Sequence, residues 1–355
     1  MSGGVDSSVV AALLKKRGYD VVGVTMQIWQ ESQTDPRHAG CCSLGAVEDA
    51  RRVARILDIP HYIINYKDTF RKNVIDNFIE EYSAGRTPNP CVQCNKKVKF
   101  ESLIAKMHEM GCDKLATGHY ARVRRNKETG QYRLLRSRGG KDQSYVLYML
   151  GQEQLSRVMF PLGELDSKAE TRAMATAYNL PVAHKPDSQE ICFVNEAGGY
   201  AEFLRKEKPE LLREGELVHA NGEKLGDHEG IHTFTVGQRK GIGLTHRSGR
   251  PLYVLKIEPA TNRVVVGHDE DLLQTDAFIK DLYLNYDDEI GPIDVMAKIR
   301  YNMKPEKATL HLGDSPKLVF KEAIRAVSPG QMAVAYRGAT VIGGGVIWDP
   351  TTQTL

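Results

Sequence analysis

The stretch that decides the fold is Ser2-Gly3-Gly4-Val5-Asp6-Ser7-Ser8, which follows Met1 and leads directly into an apolar helical pattern. The two glycines let the backbone approach an anion closely, and a helix N-terminus presents unpaired N–H groups to it. Serine hydroxyls add donors, and the Asp6 carboxylate can help to hold Mg²⁺. A Walker A loop is excluded because no lysine follows the glycines. The stretch predicts a pyrophosphate-binding loop; the alternative is a glycine turn in which Asp6 or Ser7 caps the helix.

Helical and strand-like periods alternate through the first 120 residues. Helical spacing of apolar residues occupies residues 9–14, 47–57, 70–82 and about 96–110, and strand-like runs occupy residues 21–28, 61–66 and 114–120. Strands separated by helices of this length are typical of βαβ crossovers. The pattern predicts an α/β domain with a parallel sheet. A strand normally feeds the first helix of such a sheet, so we expect roughly ten residues, about one strand, to precede Met1.

The remainder of the chain changes character twice. Helical patterns at residues 145–155 and 167–178 are followed by a glycine-rich stretch at residues 214–255, and short alternating segments recur from residue 277 onward. Short, evenly spaced strands are typical of a small antiparallel barrel. The predicted domains are a catalytic domain at residues 1–197, a central module at 198–268 and a C-terminal antiparallel β-barrel at 269–355.

Composition excludes several classes of protein. The 355 residues are 41% hydrophobic and 26% charged, which is typical of a globular protein and not of a disordered or collagen-like chain. An apolar run long enough to cross a membrane is absent, as are the features of a signal peptide. These observations predict a cytoplasmic protein without a membrane partner.

The net charge of +3 conceals a basic segment. Residues 122–141 contain eight basic residues and one acidic residue, a net charge of +7, and Thr129-Gly130 favours a hairpin there. The segment is either a polyanion-binding surface or an ordinary solvated hairpin.

Three of the six cysteines lie in polar surroundings. Cys91 and Cys94 follow a proline-rich loop, beside Lys96 and Lys97, and Cys192 lies 98 residues beyond Cys94. A helix N-terminus and neighbouring lysines favour the thiolate. This spacing differs from that of a four-ligand structural zinc site. It suits a reactive thiol pair or an iron–sulfur cluster with one open iron; packing as small apolar side chains is the alternative.

Seven ordered motifs resemble the bacterial tRNA-specific 2-thiouridylase family (the MnmA or TrmU type), within the PP-loop ATP pyrophosphatases. They are Ser-Gly-Gly-Val-Asp-Ser at 2–7, Cys41-Cys42-Ser43, Thr87-Pro88-Asn89-Pro90, Ala116-Thr117-Gly118-His119-Tyr120, Lys141-Asp142-Gln143-Ser144-Tyr145, Ser188-Gln189 with Cys192-Phe193, and residues 235–241. The resemblance implies an adenine nucleotide alpha hydrolase-like fold. It also implies ATP-dependent 2-thiolation of the wobble uridine in tRNA for Glu, Gln and Lys, with sulfur supplied through a relay fed by a cysteine desulfurase.

The resemblance also implies roles for individual residues. ATP and Mg²⁺ would be held by Met1, Ser2, Gly3, Gly4, Val5, Asp6, Ser7, Met26 and Gly118. The tRNA would contact Asn89, Pro90, Cys91, His119, Lys141, Asp142, Gln143, Arg300, Tyr301 and Gln331. Cys192 would carry a persulfide and Cys94 would be its partner nucleophile, releasing sulfide or closing a disulfide with Cys192.

Cys91 departs from the pattern of the family, in which many relatives place aspartate as a proposed acid/base. With a thiol at this position, the residue that acts as general acid or base is not identified. It also makes a [4Fe-4S] cluster on Cys91, Cys94 and Cys192 an alternative to the persulfide.

Two other functions compete with thiolation. One is a PP-loop synthetase that activates a small molecule for amination, which needs neither the cysteines nor the basic hairpin. The other is an RNA-binding protein with a vestigial nucleotide loop.

Overall fold

The computed structural model describes residues 1–29, 44–187, 191–244, 249–286 and 291–352. These fall into two compact units. The first unit comprises residues 1–75, 91–198 and 339–341, and the second comprises residues 76–90, 199–338 and 342–355. The division into three domains at residues 197/198 and 268/269 stays a proposal.

The α-helices are α1 (Val5–Lys16), α2 (Leu44–Ile56), α3 (Lys67–Phe70), α4 (Asp76–Ser83), α5 (Pro90–Gln93), α6 (Leu103–Glu109), α7 (Gln152–Arg157), α8 (Lys168–Ala177), α9 (Cys192–Glu196) and α10 (Tyr200–Glu207). The strands are β1 (Gly23–Gln27), β2 (His61–Asn65), β3 (Leu115–Ala116), β4 (Ala121–Arg125), β5 (Tyr132–Arg136), β6 (Val158–Met159), β7 (Gly215–His219), β8 (Lys224–His228), β9 (Tyr253–Glu258), β10 (Arg263–Gly267), β11 (Leu273–Leu284), β12 (Ile293–Lys298), β13 (Glu306–His311), β14 (Lys317–Arg325), β15 (Met332–Arg337) and β16 (Thr340–Trp348). Two π-helical segments, Arg71–Ile75 and Cys94–Ser102, continue from α3 and α5.

The first unit is built on parallel strand pairs, which confirms the predicted α/β class. Strand β1 pairs with β2 in parallel from Gly23↔His61 to Gln27↔Asn65, and β3 pairs in parallel with β6. Helix α1 contributes Val9, Leu13 and their neighbours to a core that also contains Leu162 and Ala175. Burial of this apolar stripe fixes the position of the loop at the N-terminus of α1.

Two helical predictions differ from the structure. The helix expected from about residue 96 begins earlier, at Pro90, because α5, the π-helical segment and α6 run without a break from residue 90 to residue 109. Pro90 suits the first position of a helix, since it lacks an N–H and its φ is already set. The single helix expected over residues 145–155 is divided into a 3₁₀ turn at Ser144–Leu147 and α7, because Gly151 is the N-cap of α7.

The basic segment forms the predicted hairpin. Strands β4 and β5 are antiparallel, with Ala121 opposite Arg136 and Arg125 opposite Tyr132. The Gly130 N–H donates to the Asn126 carbonyl (3.0 Å) in the turn between them.

The second unit contains two β systems. Strands β7 to β10 form a sheet in the order β8-β7-β10-β9, in which β7 and β10 are parallel. Strands β11 to β16 follow the order β11-β14-β13-β12-β15-β16, and β16 pairs with β11 to close a barrel. The apolar face of each barrel strand points into one core, which includes Ile279, Val295 and Leu318. The predicted antiparallel barrel is confirmed.

Within the described part of the chain, no helix has both the length and the apolar character needed to cross a membrane.

Two buried histidines make the stability of the protein depend on pH. His228 is 7% exposed and His232 is 1% exposed, and burial lowers the pKa of each below its ordinary value of 6.5. Below pH 6.5 the unfolded chain binds protons that the folded chain does not. Stability is therefore complete above that pH and falls as the pH decreases, by at most about 1.4 kcal/mol per pH unit for each histidine.

Urea unfolding at pH 8.0 and pH 5.5 measures this loss, and His232→Gln is expected to reduce it. The exposed His108 gives the control variant His108→Gln, for which the same pH dependence as in the unmodified protein is expected. An equal loss of stability in all three proteins would contradict the assignment.

Candidate functional site

The loop before α1 is held in a shape that only glycine allows. Gly3 has a φ of +67°, and a Cβ there would lie 2.0 Å from the carbonyl oxygen of Ala46. Gly4 is the N-cap of α1 and supplies no capping side chain. The alternative in which Asp6 or Ser7 caps the helix is therefore wrong. The N–H groups of the first turn of α1 therefore have no capping side chain.

Hydrogen bonds to and from serine side chains join the two ends of the loop. The Ser2 N–H donates to Ser7 Oγ (3.0 Å), and the Ser8 hydroxyl donates to the Gly4 carbonyl (2.8 Å). Val5 is buried beneath the loop, and the Met1 amino group donates to the carbonyl of Val24. These contacts give the loop one defined conformation around the start of α1.

Gly118 lies directly against this turn. A Cβ at Gly118 would be 2.8 Å from Asp6 Cβ and 3.0 Å from the Ser7 nitrogen, so only glycine permits the approach. Met26 belongs to β1, opposite Ile64 of β2. The nucleotide contacts predicted for Met26 and Gly118 stay predictions.

Asp6 is surrounded by donors from three separate segments. The Tyr120 hydroxyl donates to Asp6 Oδ1 (2.8 Å), and the ammonium group of Lys168 donates to the same oxygen. Lys141 Nζ lies 3.8 Å from Asp6 Oδ2. Burial raises the pKa of Tyr120 above its ordinary value, so the phenol stays protonated and can donate.

Asp187 holds the same two lysines from another segment. Its oxygens lie 2.9 Å from Lys141 Nζ and 2.9 Å from Lys168 Nζ, and Arg172 adds a contact at 3.2 Å. Burial raises the pKa of Asp187, but the hydrogen bonds from the two lysines outweigh it. The pKa of this carboxyl is therefore lowered overall.

A third lysine contacts the loop itself. Lys185 Nζ donates to the Gly3 carbonyl (3.1 Å) and to Asp49 of α2 (2.8 Å). Sequence reasoning missed Lys168, Lys185 and Asp187 as members of this site. The polar stretch Lys185-Pro186-Asp187 was the available signal, whereas Lys168 had none beyond its position at the start of a helix.

The three candidate cysteines lie on helical starts of the first unit. Cys91 is exposed in α5, Cys94 is partly exposed at the start of the π-helical segment, and Cys192 is partly exposed at the start of α9. The next residue, Phe193, anchors α9 against Trp29 and Phe70. Cys41 and Cys42, like Ser188 and Gln189, lie outside the described residues.

The structure does not gather the cysteines into a metal centre. Among the residues it describes, no three His, Cys, Asp or Glu side chains are placed to hold a metal ion. No such group therefore includes Cys91, Cys94 and Cys192, the ligands expected for a [4Fe-4S] cluster. That cluster stays a prediction, and iron analysis of anaerobically purified protein tests it.

Residues of the first unit that the resemblance assigns to tRNA also have internal partners. His119 is buried, with Nδ1 lying 2.8 Å from Thr117 Oγ1, and burial holds its pKa well below the ordinary value. Asp142 accepts from Arg136 (3.0 Å) and from Ser144. Gln143 is joined to the main chain of Tyr120 in both directions (2.8 and 3.0 Å). Their contacts with tRNA stay predictions.

In the second unit, the corresponding residues organise loops. The Gln331 amide donates to the carbonyls of Thr87 (3.0 Å) and Pro88 (3.3 Å), just before Asn89 and the buried Pro90. Arg300 donates to the carbonyls of Arg325 and Ala326, and the neighbouring Tyr301 is exposed. Their contacts with tRNA also stay predictions.

Part of the charge on the basic hairpin is compensated locally. Glu164 pairs with Arg124 and with Arg138, the latter at 3.2 Å. Arg125 donates to the Gly130 carbonyl (3.2 Å) and packs near the ring of Tyr132. The pairs of Glu164 are on the surface, where an ion pair contributes little to stability.

Family matches cover the chain in three segments. Residues 1–196 match the family described as tRNA methyl transferase HUP domain, residues 201–268 match tRNA methyl transferase PRC-barrel domain, and residues 275–347 match Aminomethyltransferase beta-barrel domain. With the glycine loop at α1 and the parallel strands, the first match defines the first unit as a PP-loop (HUP) domain.

Relatives similar to this chain share one name, tRNA-specific 2-thiouridylase MnmA. The protein from Clostridioides difficile is 48% identical over 351 residues, covering 98% of this chain and 96% of that protein. The protein from Moorella thermoacetica is 48% identical over 352 residues, covering 98% of each chain. The protein from Carboxydothermus hydrogenoformans is also 48% identical, covering 98% and 96%. The chain belongs to the tRNA-specific 2-thiouridylase family.

The close approach at Gly3 yields a test of the loop. Gly3→Ala is expected to cost more stability than Gly18→Ala. Both positions have a positive φ, which costs about 1–2 kcal/mol for alanine. Only at Gly3 would the alanine Cβ also collide with neighbouring backbone. Urea unfolding measures the difference, and pyrophosphate binding should be lost in Gly3→Ala alone. Equal behaviour of the two variants would show that the loop tolerates a side chain.

Proposed function

We propose that this protein is an ATP-dependent tRNA uridine 2-sulfurtransferase that acts on the wobble uridine. The observation that carries the proposal is the glycine loop at α1, with Asp6 held among lysines, in a chain 48% identical to proteins named tRNA-specific 2-thiouridylase. The alternatives of a small-molecule synthetase and of a vestigial loop lack such support.

The residues at the loop fit the phosphates of ATP with Mg²⁺. The first turn of α1 offers N–H groups, Ser2 and Ser7 offer hydroxyls, and the lysines near Asp6 offer positive charge. Magnesium is commonly bound by one or two carboxylates together with substrate phosphates, a role that suits Asp6. Met26 and Gly118 would contact the adenosine part.

Adenylation of the uridine C2 oxygen supplies the leaving group that the reaction needs. The C2 carbonyl alone is a poor electrophile because its oxygen departs badly; as part of AMP it departs readily. The pyrophosphate released in this step remains at the loop, where N–H groups and lysines stabilise its charge.

Sulfur transfer follows at C2. The terminal sulfur of a persulfide on Cys192 forms a bond to C2, and AMP departs with the former C2 oxygen. The Cys94 thiolate then attacks the sulfur of Cys192, which leaves the thiocarbonyl on the base and a Cys94–Cys192 disulfide. An external thiol reductant restores the cysteines, and a sulfur relay renews the persulfide. The target base must leave its stack to reach such a site.

Pyrophosphate release tests this function directly. With ATP and Mg²⁺, the purified protein should release pyrophosphate only when unmodified tRNA is present. Release without tRNA would favour a small-molecule synthetase. Binding of tRNA without any release would favour an RNA-binding protein with a vestigial loop.

The cysteine roles are tested by single-turnover thiolation of tRNA with persulfidated protein. Cys94→Ala and Cys192→Ala are each expected to lower the rate by at least about a hundredfold, because each removes a nucleophile. Cys112→Ala is the control, because within the part of the chain that the structure describes the Cys112 thiol donates to the nearby Met110 carbonyl alone (3.8 Å).

Cys91→Asp distinguishes the persulfide mechanism from the cluster mechanism. The persulfide route does not use Cys91 as a nucleophile, so this variant is expected to retain thiolation, whereas a cluster would lose a ligand. Full activity of Cys192→Ala would eliminate the persulfide assignment.

The basic hairpin is tested through the salt dependence of tRNA binding. Neutralising Arg124 and Arg125 to glutamine should weaken binding and reduce the slope of log K against log salt by roughly 1.5, if each contacts one phosphate. Arg205→Gln with Arg263→Gln is the matched control, since these exposed arginines pair with Glu202 and Glu216. A similar change in slope for both pairs would mean that the hairpin has no special part in binding.

A further inference from the structure

Two carboxylates share the same pair of lysines beside the loop. Lys168 contacts Asp6 and Asp187, and Lys141 lies 3.8 Å from Asp6 and 2.9 Å from Asp187. The side chains of the four residues are between 19% and 31% exposed, so solvent screens these contacts only in part. Asp6 and Asp187 therefore hold the lysines from two sides.

The charges in this group do not cancel. Lys141, Lys168 and Arg172 carry three positive charges, and Asp6 and Asp187 carry two negative charges. If Asp6 turns to the Mg²⁺ that accompanies a nucleotide, its contacts with both lysines weaken. Asp187 is then the carboxylate that remains within 3 Å of both, and the group gains positive charge where a polyphosphate arrives.

The main chain of each lysine is fixed independently. The Lys141 carbonyl accepts from the Ser137 hydroxyl (2.5 Å), and Lys168 begins α8, where the Ser167 side chain caps the helix. Both ammonium groups also lie over the ring of Tyr120, at 4.9 and 5.8 Å from its centre. The side chains beyond these anchors are long and flexible, so their direction depends on a partner such as Asp187.

We propose that Lys141 and Lys168 are the cations that receive pyrophosphate at the loop and that Asp187 is the positioning residue that keeps them there. The proposal rests on the proposed function for the identity of the anion. It gives Lys141 a role at the phosphate site, whereas the resemblance assigned this lysine to tRNA. Asp187 acts through the lysines and touches no phosphate.

The direction in which Asp187→Asn changes the affinity for pyrophosphate distinguishes a positioning role of Asp187 from an effect of its charge alone. Asp187→Asn removes a negative charge near an anion site, so an effect of charge alone would tighten pyrophosphate binding. A positioning role predicts the opposite. We expect about tenfold weaker binding, the value of one charge-assisted hydrogen bond. Isothermal titration of the full chain with magnesium pyrophosphate, in the absence of tRNA, gives the affinity.

Companion variants make the result specific. Asp187→Glu keeps the carboxylate and should restore most of the affinity. Lys168→Met should weaken binding about tenfold, and adding Asp187→Asn to it should weaken binding by less than Asp187→Asn does alone. Asp276→Asn is the matched control, because it also removes a carboxylate that holds a lysine, Lys317 at 2.7 Å, and it should leave the affinity unchanged.

Several outcomes would overturn the proposal. Unchanged or tighter binding by Asp187→Asn would do so, as would full additivity of the two substitutions. If thermal unfolding shows that Asp187→Asn does not fold, unchanged affinity in Lys168→Met would be decisive. Failure of the proposed function is distinguishable: the unmodified protein would then bind pyrophosphate yet release none from ATP in the presence of tRNA.

Discussion

The close approach between Gly3 and the backbone of Ala46 is the constraint on which the site depends. With 2.0 Å between a Cβ at Gly3 and that carbonyl oxygen, no side chain fits there, and the loop can turn into α1 only with glycine at this position. The turn leaves the first N–H groups of α1 without a capping side chain and places Asp6 beneath Tyr120. The contacts of Asp6 with Tyr120, Lys168 and Lys141 follow from the position of that carboxylate.

The lysines around Asp6 come from distant parts of the chain and converge because the first unit packs α8 against α1. Ala175 of α8 and Val9 of α1 share one core, which brings Lys168 of α8 to Asp6. The segment ending at Asp187 completes the group. Apolar burial thus assembles a polar site from segments that are far apart along the chain. The charged side chains are 19% to 31% exposed, so solvent screens their contacts only in part.

The sequence predicted the fold in most of its parts. Alternating helical and strand-like periods indicated the parallel pair β1–β2 and strand β3, and evenly spaced short strands indicated the barrel of β11 to β16. The short strand β6, which pairs with β3, was not predicted. The predictions were wrong at the helical start at Pro90 and at the division near Gly151, since both depend on local capping and not on apolar spacing. For the site, the motif at residues 2–7 and Gly118 were within reach. Lys168 was not, and the polar stretch that contains Lys185 and Asp187 did not show that these residues join the site, because a charged residue looks the same in sequence whether it is solvated or paired.

By itself, the sequence determined the elements whose physics is local: the glycine loop and its helix, the hairpin with its turn at Gly130, the strands of the barrel, and the membership of a family through seven ordered motifs. Only the tertiary structure decided which charges meet. It paired the basic hairpin with Glu164, gave Asp142, Gln143 and Gln331 internal hydrogen bonds, and placed Lys141 between Asp6 and Asp187. The physical reason is that these ion pairs and hydrogen bonds, which join residues from 6 to 244 positions apart, depend on packing. No periodicity along the chain encodes that packing.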